Sequence, residues 1–470
     1  MKILLINPLT ENILSSNVPG VFEEEPDYIP PLGILYIAAY LEKHTSHQIK
    51  VLDSQLEKLN YEQLKNKIIE EKPDVVGMTT LSYTLIDVIK TAKLVKEIDK
   101  NIKVVLGGPH INIYPVETMK ISEIDILVLG EGEKPAKDLV ENINNIKNLY
   151  QIKGIVFRDG NKIINTGPRE LIQNLDEIPF PARHLTPYKK YFSILSTQKP
   201  VTTMFTSRGC PYKCLFCDRP HLGKIFRARS AKNVVDEMEE CEKMGIKEIF
   251  IYDDTFGVDR QRVLDICSEV KKRKLNINWD IRTRVNTVDE EVLKALKEAN
   301  CKRIHYGVEA GTTKILGVLR KGITLEMAEK AFKLTKKIGI ETLGYFMIGS
   351  PTETKEDILE TIKFAKKLNP DYVLFSILIP YPETDLYRMG LENGIIAHDY
   401  WKEFAENPKS GFKPLHWREN FTLPELYNLL KKAYKSFYLR PGYILSSLRK
   451  LKSPKDLGQK IQIAINILIK

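Results

Sequence analysis

Three of the six cysteines, Cys210, Cys214 and Cys217, fall within eight residues, in the stretch Arg208-Gly-Cys210-Pro-Tyr-Lys-Cys214-Leu-Phe-Cys217-Asp-Arg-Pro220. Spacings of four and three let three thiolates converge on one metal centre from a single loop. Soft sulfur donors select zinc, copper(I) or an iron–sulfur cluster. A structural zinc site takes a fourth protein ligand, and His221, four residues past Cys217, is a candidate for it. Three thiolates on a cubane cluster leave one iron open, which suits binding and activating a molecule there. The cluster is the favoured reading and zinc the alternative. Cys241, Cys267 and Cys301 are widely spaced and read as small buried residues. Six cysteines in 470 residues do not make a disulfide framework.

The elements that position this loop follow from hydrophobic patterning. Over the first ~150 residues, apolar strands at Lys2–Asn7, Ile49–Leu52, Asp74–Thr79, Lys103–Gly107 and Asp125–Gly130 alternate with helical patterns near 32–41, 61–71, 84–99 and 133–146. Continuous apolar strands separated by helices imply an α/β fold with a doubly wound parallel sheet. Residues 149–198 break the rhythm. They read as a linker with a hairpin turning at Asp159-Gly160 and prolines at 179 and 181. From 199 the alternation resumes, with strands at 201–206, 247–253, 277–282, 303–308, 341–348 and 371–379. Six strand–helix units in series fit a partial or full parallel barrel with its active site at the carboxyl ends of the strands. The expected domains are 1–148, the linker 149–198, the barrel 199–420 and a basic helical region 421–470.

The Cys-x₃-Cys-x₂-Cys spacing, the aromatic Phe216 before the third cysteine, and the place directly after the first barrel strand together resemble the radical S-adenosylmethionine (SAM) superfamily. The resemblance implies a partial (β/α)₆ barrel and a [4Fe–4S] cluster on Cys210, Cys214 and Cys217. The open iron then chelates SAM through its amino and carboxylate groups. An electron cleaves SAM to a 5′-deoxyadenosyl radical, which takes a hydrogen atom from the substrate. Contacts to SAM are implied for Phe216, Asp253, Asp254, Arg282, Arg284, Glu309 in Gly307-Val-Glu309-Ala-Gly311, and Gly349 and Glu353 in Gly349-Ser-Pro351-Thr-Glu353. Ile379-Pro-Tyr381-Pro382 falls near the expected adenine edge. Other readings stand beside these: Asp253 and Asp254 can cap the next helix, and Glu309 can pair with Arg282 or Arg284 inside the barrel.

In the first domain, Ile29-Pro-Pro31-Leu-Gly33-Ile-Leu-Tyr36, Thr79-Thr80-Leu81, Gly107-Gly108-Pro109-His110 and Gly130-Glu131-Gly132-Glu133 resemble the cobalamin-binding domain that precedes many radical SAM domains. No G-x-G-x-x-G follows the first strand and no P-loop is present, so a dinucleotide site is not expected. The resemblance places the cobalamin nucleotide tail against Thr79, Thr80, Gly107 and Gly108, with Gly130 and Glu131 beside it. Cobalamin domains with a lower axial histidine carry D-x-H-x-x-G after the first strand. Here that loop begins Asn7-Pro-Leu-Thr-Glu-Asn12 without histidine, so the cobalt is expected to lack one. His110 reads as a loop or tail contact.

The formal charge of +10 is concentrated at one end: residues 431–470 hold ten Lys or Arg and one acid, Asp456. An amphipathic basic helix over Leu429–Leu451 either lies on an anionic membrane surface or packs its aromatics on the barrel. No nucleic-acid-binding module is present, and no segment reaches the ~18 apolar residues of a membrane span. The chain is therefore expected to be cytoplasmic, at most membrane-associated. The implied activity is cobalamin-dependent methylation of an unactivated carbon in a hydrophobic small molecule, with flavodoxin or ferredoxin supplying electrons. Cyclisation, ring contraction or oxidation with the same cofactors is the alternative. A non-catalytic cobalamin or cluster-binding protein is the alternative of another class.

Overall fold

The computed structural model describes residues 1–14, 28–196, 198–217 and 225–449. The first sheet holds β1 (Lys2–Asn7), β2 (Gln48–Asp53), β3 (Val75–Thr79), β4 (Lys103–Gly107), β5 (Ile126–Val128), β6 (Ile155–Asp159) and β7 (Lys162–Asn165) in the order β2-β1-β3-β4-β5-β6-β7. The first five are parallel and lie within two residues of their expected bounds. Apolar clusters cover both faces, as a parallel sheet requires.

The hairpin corrects the expected linker. β6 pairs antiparallel with β5 and β7 with β6, so both extend the first sheet. The physical reason is the short β5: without β6 its ladder groups would form an open edge. The rest of the connection is fixed to both domains. Tyr191 donates its hydroxyl to Asp53 Oδ2 at 2.7 Å. Arg183, buried in full, donates to Thr203 O at 2.9 Å and pairs with Glu237 at 2.5 Å.

The second sheet starts at β8 (Val201–Met204). A two-stranded ribbon follows, β9 (Ser207–Arg208) against β10 (Arg227–Ala228). Then come β11 (Glu248–Ile251), β12 (Asn278–Arg284), β13 (Cys301–Glu309), β14 (Glu341–Ile348) and β15 (Tyr372–Ile377). The order β8-β11-β12-β13-β14-β15 is parallel throughout and open at both ends, a half-barrel. Its outer face packs on helices in the largest apolar cluster of the molecule.

The C-terminal helix Leu423–Tyr438 covers the open edge at β15. The Tyr438 hydroxyl accepts from Val373 N at 2.9 Å and donates to Val373 O at 2.8 Å. Tyr434 does the same at Phe375, at 3.1 and 2.8 Å. Four residues of helix rise about 6 Å and two of strand about 6.6 Å, so the two tyrosines match the ladder spacing. Over this helix the aromatic side chains pack on the barrel, the second of the two readings: Tyr434, Phe437 and Leu430 are buried against it. The residues after 449 lie outside the described part. No helix among the described residues is long and apolar enough to cross a membrane.

Candidate functional site

The cysteine loop leaves β8 at the barrel mouth, and the β9–β10 ribbon closes its base. Asp253, at the end of β11, is buried and fixes the loop's first residues. Its carboxylate accepts from Thr206 N at 2.6 Å, Thr206 Oγ1 at 2.5 Å, Ser207 N at 3.1 Å and Ser207 Oγ at 2.6 Å. Four accepted bonds give it a positioning role at the stem of the cysteine loop. Neither Asp253 nor Asp254 caps the next helix. Asp259 does, accepting from Arg262 N. Asp254 instead stands exposed at the mouth of the large cavity described below.

Cys210 and Cys214 are buried and Cys217 half-buried, and none of the six cysteines forms a disulfide. Cys210 Sγ lies 3.4 Å from Thr255 Oγ1. Cys217 N donates to Cys214 O at 3.2 Å, and Leu215 is tied to Leu319 O and Leu386 N, both at 3.0 Å. Phe216 packs against the barrel core. Among the described residues no three His, Cys, Asp or Glu side chains gather closely enough for a single metal ion. His221, the zinc alternative's fourth ligand, lies outside the described residues.

Arg284 and Arg282, both on β12, meet different partners. Arg284 Nη1 donates to Cys214 Sγ at 3.4 Å, Nη2 donates to Lys321 O, and the guanidinium stacks 3.9 Å over Tyr212. Arg282 stacks 3.9 Å over Tyr252, with its Nε buried and without a partner. Glu309 sits at φ +75° on a register shift of β13, and its carboxylate takes Lys321 Nζ at 2.7 Å rather than either arginine. A Cβ on Gly307 would fall 2.6 Å from Glu309 Oε1 and 2.8 Å from Lys321 Nζ, so a side chain there would displace this ion pair. Lys321 escaped the sequence reading because it lies in a loop with no motif around it. So did a polar file in the barrel interior. Tyr345 lies 2.9 Å from His305 Nδ1, and His305 Nε2 lies 3.2 Å from Asp280 Oδ2. Burial outweighs Asp280 and lowers the His305 pKa.

Glu353 shapes the turn after β14. Its Oε2 accepts from Gly349 N at 2.6 Å and Ser350 N at 2.8 Å, while Oε1 is buried without a partner. Burial pushes the carboxyl up from 4.5 to about 7. The folded chain therefore holds a proton that the unfolded chain releases. That contribution to stability is full below about pH 4.5 and is lost as pH rises through about 7. Glu353→Gln keeps an acceptor for both amides but no longer titrates. Relative to the parent, its unfolding free energy should gain up to about 3 kcal/mol between about pH 4.5 and 8. A gap that stays constant across denaturant titrations at those pH values contradicts this assignment.

A cavity of about 390 Å³ lies at the carboxyl ends of the first sheet, within the ~300–1,000 Å³ typical of small-ligand sites. Six glycines line it, Gly33, Gly77, Gly107, Gly108, Gly130 and Gly132, with Thr79, Glu131 and mostly apolar side chains. Gly108, at φ +105°, has no room for a Cβ, which would stand 2.8 Å from Thr80 O. Thr80 itself is buried behind the wall, and so is His110, whose pKa burial lowers to about 3. Neither residue lines the cavity, and His110 makes a loop contact, its Nδ1 2.9 Å from Ser82 Oγ. Among the described residues, no histidine lines the cavity.

The cavity continues onto Phe205, Ser207, Arg208, Tyr252 and Asp254 of the barrel. Glu131 and Glu133 close this junction. Arg208 Nη1 donates to Glu131 at 2.8 Å, Nη2 pairs with Glu133, and Arg227 Nη1 reaches Glu131 at 2.9 Å. Burial alone would raise the Glu131 pKa, but hydrogen bonds from Arg227 and Arg208 hold it below the ordinary carboxylate value. The pairing of Glu131 with the cysteine loop was not foreseen from its glycine-rich surroundings.

The chain matches the family model of the radical SAM superfamily over residues 204–365 and that of the B12 binding domain over 21–140. An uncharacterised methyltransferase of Pyrococcus horikoshii is 38% identical over 451 residues, covering 95% of each chain. The anaerobic magnesium-protoporphyrin IX monomethyl ester cyclase of Rubrivivax gelatinosus is 31% identical over 88% of this chain and 75% of its own. The fold is shared with the cobalamin-dependent SAM radical enzyme OxsB, solved with aqua-cobalamin and SAM bound. That match has a TM-score of 0.76 at 17% identity and covers 100% of this chain and 72% of the other. The radical SAM methyltransferase TsrM of Kitasatospora setae gives a TM-score of 0.70 at 19% identity, over 84% and 77%. With a cysteine-bearing half-barrel and a glycine-lined cavity joined in one chain, this protein belongs to the radical SAM superfamily, among the members that carry a B12-binding domain ahead of the radical SAM domain.

Proposed function

We propose that the chain is a cobalamin-dependent radical SAM methyltransferase acting on a small molecule. The observation that carries this reading is the single cavity running from the glycine-rich ends of the first sheet to Ser207, Tyr252 and Asp254 at the barrel mouth. A methyl carrier held in the first domain and a radical generated in the second need such a shared space. The cofactors supply the one-electron cleavage of SAM and a transferable methyl group. The protein supplies placement. Cys210, Cys214 and Cys217 are the proposed cluster ligands. Thr79, Gly107, Gly108, Gly130 and Glu131 border the proposed cobalamin pocket. Asp253, through Thr206 and Ser207, holds the cysteine loop against the barrel. Asp254, Arg282, Glu309 and Gly349 are proposed to face SAM. Apolar walls keep water from both sites.

The substrate is proposed to be hydrophobic and the electron donor a flavodoxin or ferredoxin. Names among the relatives support a hydrophobic substrate, including a hopanoid C-3 methylase of Methylococcus capsulatus, 27% identical over 77% of this chain. Cyclisation without methyl transfer is the second reading, favoured by the 31% identity to the cyclase. Reconstituted enzyme given SAM with a deuterated methyl group and a small-molecule extract of the source cells separates the two. Methyl transfer places the label in a new product, whereas a new product without label sinks it in favour of the cyclase-type reaction.

A further inference from the structure

Arg284 is a buried guanidinium without a carboxylate. Most buried arginines around it are paired with carboxylates: Arg183 and Arg229 with Glu237, Arg208 with Glu131 and Glu133, Arg227 with Glu131, and Arg303 with Asp280 and Glu341, while Arg262 is held by the Arg229 and Thr206 carbonyls. Among the described residues, no ion pair involves Arg284, which is 5% exposed. A buried charge left uncompensated is costly. The side-chain acceptor this one meets is sulfur: Nη1 lies 3.4 Å from Cys214 Sγ. Its orientation is set from the other sides by the Lys321 carbonyl and by the Tyr212 ring, 3.9 Å away between Cys210 and Cys214.

The donor set fits a cubane cluster, with three thiols on one loop and a fixed cation against one of them. Hydrogen bonds to the ligating sulfurs and nearby charge set a cluster's reduction potential. We infer that Arg284 is a redox-tuning residue: its guanidinium, donating to Cys214 Sγ, raises the reduction potential of the cluster bound at Cys210, Cys214 and Cys217. The step it favours is addition of one electron from an external donor to the oxidised cluster. The added negative charge is stabilised by the cation, with no bond made or broken. Arg284 acts on the cluster through Cys214 and is a positioning residue. The inference rests on the proposed cluster site.

The test is a potentiometric titration of the anaerobically reconstituted full-length protein, followed by electron paramagnetic resonance of the reduced cluster. SAM is omitted, so a role in holding SAM cannot move the result. Iron and sulfide content are measured first. A parent protein that binds no cluster overturns the site assignment, whatever Arg284 does. With the parent loaded, the neutral variants Arg284→Met and Arg284→Gln should show about tenfold less reduced cluster at a fixed potential, a midpoint about 59 mV lower. Arg284→Lys should recover part of the difference. Loaded neutral variants with the parent's midpoint overturn the inference. If both neutral variants lose the cluster, loading of Arg284→Lys supports a charge effect. Loss from the lysine variant too assigns Arg284 to folding and overturns the inference.

Discussion

Cys214→Ala should lower bound iron and 5′-deoxyadenosine formation by about a hundredfold or more, since changes in the outer shell alone cost ~10–100-fold in metal affinity. Cys214 is 9% exposed and is the thiol against which Arg284 is fixed. Its removal takes away one of three proposed ligands and leaves the guanidinium without its sulfur partner. Cys267→Ala is the matching control. That thiol is buried in the barrel core, where burial pushes its pKa up to about 12, and it serves packing alone. The control should lose some stability and keep the iron. Elemental analysis and an anaerobic assay with dithionite and SAM read both variants. A Cys214→Ala protein that cleaves SAM as the parent does contradicts the cluster assignment.

The second large effect is at the junction. Arg208→Met leaves Glu133 without its cation and Glu131 with Arg227 alone, both side chains 4% exposed. Breaking a buried ion pair by removing one partner costs ~3–5 kcal/mol. The same three side chains line the cavity, so cobalamin retention should fall with stability. Arg208→Met combined with Glu133→Gln should recover part of the loss, because the double change no longer buries an uncompensated charge. Chemical unfolding of the parent, both single variants and the double variant reads the coupling. A loss below about 1 kcal/mol in Arg208→Met, or strict additivity in the double variant, would show that the junction does not depend on this network.

The sequence made some of this legible and concealed the rest for identifiable reasons. Parallel strands buried on both faces are continuous apolar runs, so β1 to β5 and the barrel strands stood out. Cysteines at fixed spacing report chemistry wherever they occur. Interactions between distant residues left no such trace. Arg208 and Glu131 are 77 positions apart and Lys321 stands 12 from Glu309. Nothing in the local pattern of either pair announces its partner. The hairpin at β6 and β7 was visible as a hairpin, but its attachment depends on how short β5 is. The aromatic residues of the basic helix were visible too. Their use became clear only where Tyr434 and Tyr438 meet the ladder groups of β15. Asp253 and Arg284 were singled out for SAM on their place at strand ends. Their contacts with the cysteine loop, one at its stem and one at its second thiol, left no trace in the local pattern.

One chain is proposed to present a cluster and cobalamin to a shared cavity, without a histidine ligand to the cobalt. The most direct measurement is the anaerobic visible spectrum of the protein reconstituted with iron, sulfide and hydroxocobalamin, with metal analysis on the same sample. The expected result is about four irons per chain, about one cobalt, and cobalamin bands without the signature of a histidine ligand. Zinc in place of iron, or cobalamin that washes out of a cluster-loaded protein, would contradict it.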